Sequence, residues 1–234
     1  MGSKLMRMLN LNVNGIRKRA KRIELAELLR KLKIGVCVLT ETHLRKEECD
    51  RTHFKYYSIA AESCRKDAAH IGGGVMILVH HIYKSDKFEG CTINGDAIKH
   101  CSVKFYLSSD PATALLITGV YMPPRLPGNI TMTDLGILSA GANNLRAAPK
   151  SPRIMAGDFN TTSWLERVED WCQEEGIWHL NDPCVPTINT GSSIDKFLFK
   201  PGDYIPTTFL PHERVGLKEM AGRDVHTYVA TMIP

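Results

Sequence analysis

Polar side chains suited to phosphate and metal chemistry stand where apolar segments of the chain begin or end. They are Asn12, Asn14, Glu41, Tyr121, Asp158, Asn160, Asp195 and His226. Carboxylates are the ligands that a hard cation such as Mg²⁺ prefers, and amide groups can hold phosphate oxygens. Together these residue types supply a Lewis acid site, an oriented water and charge neutralisation, which is the set that phosphodiester hydrolysis requires.

Each motif also has an ordinary structural interpretation when it is taken alone. The Asn-Val-Asn-Gly motif at 12–15 is typical of a turn because Asn and Gly tolerate positive φ. The Gly-Asp-Phe-Asn motif at 157–160 is typical of an Asx turn. Glu41 also fits a surface carboxylate, and His226 fits a hydrogen-bonded structural histidine. Three glycines at 72–74 lack the Lys-Ser/Thr ending of a phosphate-binding loop and are interpreted as the start of a strand.

A cluster of basic residues directly follows the first polar motif. Its members are Arg17, Lys18, Arg19, Lys21 and Arg22. They occupy the first turns of a helix that the leucine spacing predicts over 17–32. The helix dipole disfavours cations there by about 0.3–1 kcal/mol each, and an acidic partner would remove that penalty. A solvated helix face is the alternative, but the neighbouring site favours DNA contact by Asn14, Arg17, Lys18 and Arg19.

Apolar periodicity predicts more strands than helices. Strands are expected at 6–13, 33–39, 75–80, 98–107, 114–122, 153–156, 195–199 and 227–233, and helices at 17–32, 133–147 and 163–175. Helices at such uneven spacing favour two stacked sheets flanked by helices over a doubly wound parallel sheet. The predicted fold class is therefore α/β.

Composition and length limit these interpretations. The chain has 234 residues, 43% hydrophobic and 24% charged, which suits one folded domain and excludes a wholly disordered chain. Its net charge of +5 is compatible with a polyanionic partner without demanding one. Seven cysteines without a Cys-x-x-Cys pair indicate neither a disulfide framework nor a structural zinc site, which favours a reducing, intracellular compartment. No apolar run approaches the roughly 20 residues of a membrane span.

Six motifs in a fixed order carry a resemblance to a known family. They are LNVNGIR at 11–17, VLTETHL at 38–44, GGGVMILV at 72–79, TGVYMPP at 118–124, MAGDFNT at 155–161 and SSIDKFLF at 192–199. The chain resembles the apurinic-endonuclease-like domain of non-LTR retrotransposons, within the endonuclease/exonuclease/phosphatase superfamily. The resemblance implies a four-layer α/β sandwich with two packed, mostly antiparallel sheets flanked by helices. We expect a single domain over 4–234, excised from a larger polyprotein, and interpret residues 1–3 as a cloning remnant.

The same resemblance implies a nuclease that uses Mg²⁺, with Mn²⁺ able to substitute, and that nicks double-stranded DNA to leave a 3′ hydroxyl. In such elements this hydroxyl primes reverse transcription. We therefore expect a covalently linked reverse transcriptase domain in the full-length protein, no membrane partner, and action in the nucleus. Three alternatives stay open: an abasic-site repair endonuclease, a phosphoinositide or lipid phosphodiesterase, and a catalytically weakened DNA-binding module.

Roles for individual residues follow from the matched motifs. The resemblance implies that Glu41 ligates the metal, with Asn12 beside it to hold the phosphate or a water of the ion. Asp158 would orient and deprotonate the attacking water, and Asn160 would fix a phosphate oxygen. Tyr121 would donate a hydrogen bond to the phosphate.

The resemblance also assigns the C-terminal part of the chain. His226 would contact the scissile phosphate, with Asp195 supporting the histidine or the metal site, and Thr187 would begin a hairpin that contacts DNA. Val225 stands where the family has an aspartate, which keeps the weakened DNA-binding module open as an alternative. If residues 224–226 adopt strand geometry, Asp224 and His226 share a face, so Asp224 is a candidate supporting carboxylate.

Overall fold

The secondary structure alternates long buried strands with a few helices. A computed structural model describes residues 6–64, 73–90, 98–106, 114–123, 153–160, 165–174, 176–179, 195–200, 208–210 and 227–233. The helices in these ranges are α1 (Arg19–Lys31), α2 (Lys46–Asp50) and α3 (Leu165–Glu174). The strands are β1 (Met6–Asn12), β2 (Ile34–Thr40), β3 (Tyr57–Ser63), β4 (Val75–His80), β5 (Lys84–Lys87), β6 (Lys99–Tyr106), β7 (Ala114–Tyr121), β8 (Arg153–Asp158), β9 (Trp178–His179), β10 (Asp195–Lys200), β11 (Thr208–Leu210) and β12 (Thr227–Ile233).

The strands form two six-stranded sheets that pack face to face. The first sheet has the order β11-β12-β1-β2-β4-β3, and the second has the order β5-β6-β7-β8-β10-β9. Each sheet contains one parallel pair, β1 with β2 and β7 with β8, and the other described pairings are antiparallel. An apolar core drawn from both sheets fills the space between them.

Helices cover the two outer faces of the sheets. Leu25 and Leu29 of α1 pack with residues of β1 and β2, and Trp171 and Cys172 of α3 pack with residues of β7 and β8. The resulting order of layers is helix, sheet, sheet, helix, which confirms the predicted four-layer α/β sandwich. No described helix is long and apolar enough to span a membrane, and the five cysteines that the structure describes are free.

Burial explains which strands the sequence predicts. All seven residues of β2 and all eight of β7 are buried, so these strands form continuous apolar runs. The edge strands β3 and β5 are partly exposed and carry polar residues, and they are absent from the prediction for that reason. The predicted helix at 133–147 lies outside the described residues.

The beginning of the first helix differs from the prediction. Lys18 has extended dihedral angles (φ −69°, ψ 126°) and is the N-cap, so α1 begins at Arg19 rather than at residue 17. Arg17 and Lys18 therefore belong to the preceding loop, and the argument from the helix dipole does not apply to them.

The two parallel pairs bring four strand ends to one edge of the molecule. Asn12 at the end of β1 pairs with Thr40 at the end of β2, and Tyr121 at the end of β7 pairs with Asp158 at the end of β8. The pairs contact each other across the core. Gly119 permits this approach, because a Cβ atom there would lie 2.8 Å from Val75 Cγ1.

Candidate active site

Two hydrogen bonds cross from one sheet to the other at this shared edge. Asn12 Nδ2 donates to Asp158 Oδ2 at 3.0 Å, and Tyr121 Oη donates to Glu41 Oε1 at 3.2 Å. Asp158 is only 1% exposed, so its contact with Asn12 is shielded from solvent. The structure therefore brings together four residues that the resemblance assigns to catalysis or metal binding.

The turns that carry these residues are Asx turns. The backbone N–H of Asn14 donates to Asn12 Oδ1 at 3.0 Å, and that of Asn160 donates to Asp158 Oδ1 at 3.0 Å. Asn160 also donates through its side chain to the carbonyl oxygen of Met122, at the end of β7. The ordinary interpretation of both motifs is thus correct locally, and the same turns place Asn12 and Asp158 against each other.

The turn at Glu41 has an unusual backbone conformation. Glu41 and His43 have φ angles of +52° and +56°, which are uncommon outside glycine and cost on the order of 1–3 kcal/mol each. Backbone hydrogen bonds hold the turn: Gly15 N–H donates to the Glu41 carbonyl at 2.7 Å, and His43 N–H donates to the Gly73 carbonyl at 3.0 Å. Residues in such conformations cluster at functional sites because the surrounding structure must over-determine them.

The glycines before β4 support the turn around Glu41. The sequence alone does not reveal this role of the glycines. Gly73 and Gly74 lead into β4, as predicted for the start of a strand. Gly74 has a φ of +95°, and a Cβ atom there would lie 2.4 Å from Thr42 Oγ1. Only glycine therefore allows the close packing that holds the turn around Glu41. His43 also belongs to this site, and the sequence motifs predict no role for it.

The environment of Glu41 favours its ionised form. Burial raises the pKa of the Glu41 carboxyl group, but the neighbouring His43, Asn12 and Tyr121 side chains together outweigh burial and leave the pKa below its ordinary value. Burial, together with the nearby Glu41 and Asp158 carboxylates, raises the pKa of Tyr121 well above its ordinary value. Glu41 is therefore a carboxylate at neutral pH, and the Tyr121 hydroxyl remains a hydrogen-bond donor.

The donor chemistry of this cluster fits a hard divalent cation. Mg²⁺ is commonly held through one or two carboxylates together with waters and substrate phosphates. Glu41 supplies an ionised carboxylate with 23% of its side chain exposed, and Asn12 connects it to the second carboxylate, Asp158. In the part of the chain that the structure describes, no group of three or more His, Cys, Asp or Glu side chains is arranged to hold a metal ion, and this mode of binding does not require one.

The basic cluster divides into structural and solvent-facing residues. Lys21 Nζ donates to the Val13 and Asn14 carbonyls, and Arg22 Nη1 donates to the carbonyls of Ile16 and Arg17. These two side chains therefore tie the end of β1 to α1, which corrects the interpretation of the cluster as a single solvated or DNA-binding face.

The cations left for a partner lie just before and at the start of the helix. Lys18 and Arg19 are exposed to solvent. Arg17 is half exposed and forms a two-point ion pair with Glu48 of α2, through Nε to Oε1 at 3.0 Å and Nη2 to Oε2 at 3.3 Å.

Part of the predicted site lies outside the described residues, namely Thr187, Asp224, Val225 and His226. The backbone of Asp195 is described and lies opposite Asp158 in the pairing of β10 with β8. The first residue of β12, Thr227, lies opposite Leu11, which immediately precedes Asn12. The described strands thus bring the beginnings of β10 and β12 to the edge where the cluster lies.

Comparisons with known proteins agree with this architecture. The model of the Endonuclease/Exonuclease/phosphatase family matches residues 9–215. The solved endonuclease domain of TRAS1, a telomere-specific non-LTR retrotransposon, is similar with a TM-score of 0.67 and 17% identity, covering 98% of this chain and 99% of that chain. D. rerio TDP2 in complex with a single-strand DNA product gives a TM-score of 0.67 and 13% identity, covering 99% and 100% of the two chains.

A bacterial protein of the same superfamily shows the same likeness. The endonuclease/exonuclease/phosphatase family protein from Leptotrichia buccalis gives a TM-score of 0.66 and 13% identity, covering 98% and 99% of the two chains. At these identities the structural likeness shows the fold, and no curated protein matches the sequence. Because the family match extends over most of the sequence, the chain belongs to the Endonuclease/Exonuclease/phosphatase family.

Proposed function

We propose that this protein is a Mg²⁺-dependent endonuclease that nicks one strand of double-stranded DNA and leaves a 3′ hydroxyl. The observation that carries the proposal is the position of Asn12, whose side chain donates to Asp158 Oδ2 at 3.0 Å and also helps to lower the pKa of the Glu41 carboxyl group. One amide thereby joins a carboxylate suited to a cation with a carboxylate suited to act as a base. Hydrolysis of a phosphodiester needs both functions within one cluster.

The buried carboxylate of Asp158 is the candidate general base. It accepts hydrogen bonds from Asn12 Nδ2 and from the Asn160 backbone, so its orientation is fixed before substrate binds. In this proposal Asp158 orients the attacking water and takes its proton. A base positioned in this way accelerates a reaction by about 10²–10⁴-fold.

The neighbouring donors suit the phosphate. The Tyr121 hydroxyl stays protonated because its pKa is raised, so it can donate to a phosphate oxygen at neutral pH. Asn160 would hold a second phosphate oxygen, and Glu41 would hold Mg²⁺. The bound ion supplies a Lewis acid that neutralises charge on the phosphate. By the family resemblance, His226 and Asp195 would complete the site.

The proposal extends to the biological partners. Double-stranded DNA is the substrate, and Lys18, Arg19, Arg17 and Asn14 would contact its phosphates, with Thr187 contacting DNA from its hairpin. The 3′ hydroxyl would prime reverse transcription by a reverse transcriptase domain of the same polypeptide, acting in the nucleus. This extension rests on the similarity of the motifs to those of non-LTR retrotransposons, and the likeness to the TRAS1 endonuclease domain is compatible with it.

Nicking of supercoiled plasmid tests the proposal directly. The protein is incubated with plasmid and Mg²⁺, Mn²⁺ or a chelator, in parallel with Glu41→Ala. We expect open-circular product with either ion and none with the chelator or with Glu41→Ala. The 3′ end of the nick should be extended by a DNA polymerase without prior end repair. If Glu41→Ala nicks as fast as the parent protein, Glu41 is not the metal ligand.

Parallel substrates separate this function from the alternatives. A duplex with one abasic site and a phosphoinositide are assayed at the same protein concentration. Cleavage of the abasic duplex alone would indicate a repair endonuclease, and hydrolysis of the phosphoinositide alone would indicate a phosphoinositide or lipid phosphodiesterase. DNA binding without any cleavage would indicate the weakened binding module.

A further inference from the structure

Three groups surround the carboxylate of Glu41, and one of them has no role in the proposed reaction. Tyr121 Oη donates to Oε1 at 3.2 Å, and the Asn12 amide helps to lower the pKa of the Glu41 carboxyl group. His43 Nε2 lies 3.5 Å from Oε2 on the remaining side. Tyr121 and Asn12 also serve the phosphate or Asp158, whereas the described contact of the His43 ring nitrogen is with Glu41 alone.

The nitrogen that faces Glu41 is hidden from solvent. His43 Nε2 is buried and has no hydrogen-bond partner at ordinary length, so the contact with Oε2 at 3.5 Å is the interaction open to it. A buried polar nitrogen is costly to leave unsatisfied, so this contact restrains both side chains. The distance between His43 Nε2 and Glu41 Oε2 is at the long end for a hydrogen bond. A small rotation of the Glu41 carboxylate would bring the two atoms to ordinary hydrogen-bond length.

The surrounding backbone holds the His43 ring in this place. The His43 N–H donates to the Gly73 carbonyl at 3.0 Å, and the residue keeps a φ of +56°. The ring lies over Gly15, where an added Cβ atom would come within 3.2 Å of Nδ1. A glycine with a φ of +81° therefore leaves room for the imidazole next to Glu41.

We infer that His43 is a positioning residue that fixes the Glu41 carboxylate for the divalent cation. This inference rests on the proposed function in assigning Glu41 to Mg²⁺. A donor behind a ligating carboxylate fixes its orientation and leaves its free lone pairs directed at the ion. Removing such a partner commonly weakens metal affinity by about 10–100-fold. His43 acts through Glu41 and does not touch the phosphate in this scheme.

Three substitutions at one position separate hydrogen bonding from packing. His43→Phe keeps a flat ring but removes the donor, His43→Gln keeps an N–H donor without the ring, and His43→Ala removes both. The dissociation constant for Mg²⁺ is measured by calorimetry without DNA, on proteins whose folding is checked by circular dichroism. We expect His43→Phe and His43→Ala to bind Mg²⁺ about 10–100-fold more weakly than the parent, and His43→Gln to recover most of the loss.

Kinetics supply a second measurement that a general loss of structure would not reproduce. The Mg²⁺ concentration for half-maximal nicking should rise in His43→Phe in parallel with the dissociation constant, while the rate at saturating Mg²⁺ stays within a few-fold of the parent. His53→Ala is the matched control, because His53 is an exposed histidine outside the cluster. His53→Ala should change neither the dissociation constant for Mg²⁺ nor the Mg²⁺ concentration for half-maximal nicking.

The outcomes distinguish this inference from the proposed function. If His43→Phe binds Mg²⁺ as tightly as the parent, the positioning role is wrong even when the parent nicks DNA. If the parent binds Mg²⁺ in a His43-dependent way but cuts no DNA, the inference stands and the proposed function falls. If the parent binds no Mg²⁺, both fall.

Discussion

The carboxylate of Asp158 accepts hydrogen bonds from two amide groups at once, which leaves it oriented but still able to accept a proton. Asp158→Ala should reduce the nicking rate by about 10²–10⁴-fold, because a general base acts in the transition state. Its affinity for uncleaved duplex in the presence of Ca²⁺ should stay within a few-fold of the parent. Asp158→Asn provides a variant of the same size, without a proton-accepting carboxylate. A loss of DNA binding as large as the loss of rate would indicate a structural role instead.

The low pKa of Glu41 has a consequence for stability. A carboxyl group whose pKa is lower in the folded protein than its ordinary value of 4.5 stabilises the fold above that value, and this stabilisation is lost as the pH falls through the folded pKa. As the pH falls below 4.5, the free energy of unfolding should therefore fall more steeply in the parent than in Glu41→Gln. Urea unfolding at a series of pH values measures the difference. Equal slopes would mean that the surrounding donors do not favour the ionised form.

At the scale of the elements, Lys18 at the end of the loop and Arg19 at the start of α1 are the exposed part of the basic cluster that would contact DNA in the proposed function. Replacing Lys18 and Arg19 together by Gln should weaken binding to all duplexes alike. It should also reduce the dependence of the binding constant on salt by about one unit of slope per lost phosphate contact. Binding isotherms at several salt concentrations measure this slope.

A matched control uses the other end of the same helix. Lys31→Gln with Lys33→Gln removes the same charge from two exposed residues beyond the reach of the site. This pair should lower affinity only through the net charge and leave the slope nearly unchanged. An equal reduction in the salt slope for the two double variants would exclude Lys18 and Arg19 as the DNA contact.

The spacing between the two sheets depends on one glycine of β7. Gly119→Ala places a methyl group 2.8 Å from Val75 Cγ1 and 3.0 Å from Val38 Cγ1, so the sheets must separate or the valines must shift. We expect a loss of about 1–3 kcal/mol in the free energy of unfolding. Nicking activity should fall as well, because the site depends on hydrogen bonds between the sheets. Chemical unfolding and the plasmid assay measure the two effects.

A second substitution tests whether the crowding is the cause. Val75→Ala removes the nearest methyl group, so adding Gly119→Ala to Val75→Ala should cost much less than adding it to the parent. A full loss in both backgrounds would mean that Gly119 matters for another reason.

The same elements show what a sequence can predict. The interior strands β2 and β7 are recognisable because burial on both faces leaves them mostly apolar. The edge strand β5, Lys-Ser-Asp-Lys, has no such signal, since it is defined by its backbone pairing with β6. Family motifs predict Asn12, Glu41 and Asp158 as site residues. The contact of Glu41 with His43 depends on positive φ angles and on glycines far away in sequence, which no local pattern reports.

At the scale of the whole molecule, the net charge of +5 would favour the proposed DNA substrate without selecting a sequence. Sequence selection needs several donors and acceptors presented to base edges, and a hairpin of the kind that the family resemblance implies would have only residues 188–192 between Thr187 and Ser193 to provide them. We therefore expect nicks at many positions, with preferences that follow DNA deformability. Sequencing of nick positions on a plasmid of varied sequence tests this expectation. One dominant site many base pairs long would contradict it.

The placement of β1 between β2 and β12 also matters while the protein is being synthesised. Leu11 pairs with Thr227, so one side of this strand stays without its partner until the more than 200 residues between them have been synthesised. At about 5–20 residues per second, that interval is on the order of ten to forty seconds. During this time β1 offers an unpaired edge to other strands, which creates a period of exposure to misassembly and chaperones. Asn12 is the last residue of β1. A chain that ends before β12 therefore leaves β1 without one of its two neighbouring strands. The strand that carries Asn12 therefore completes its pairing only after this period of exposure has passed.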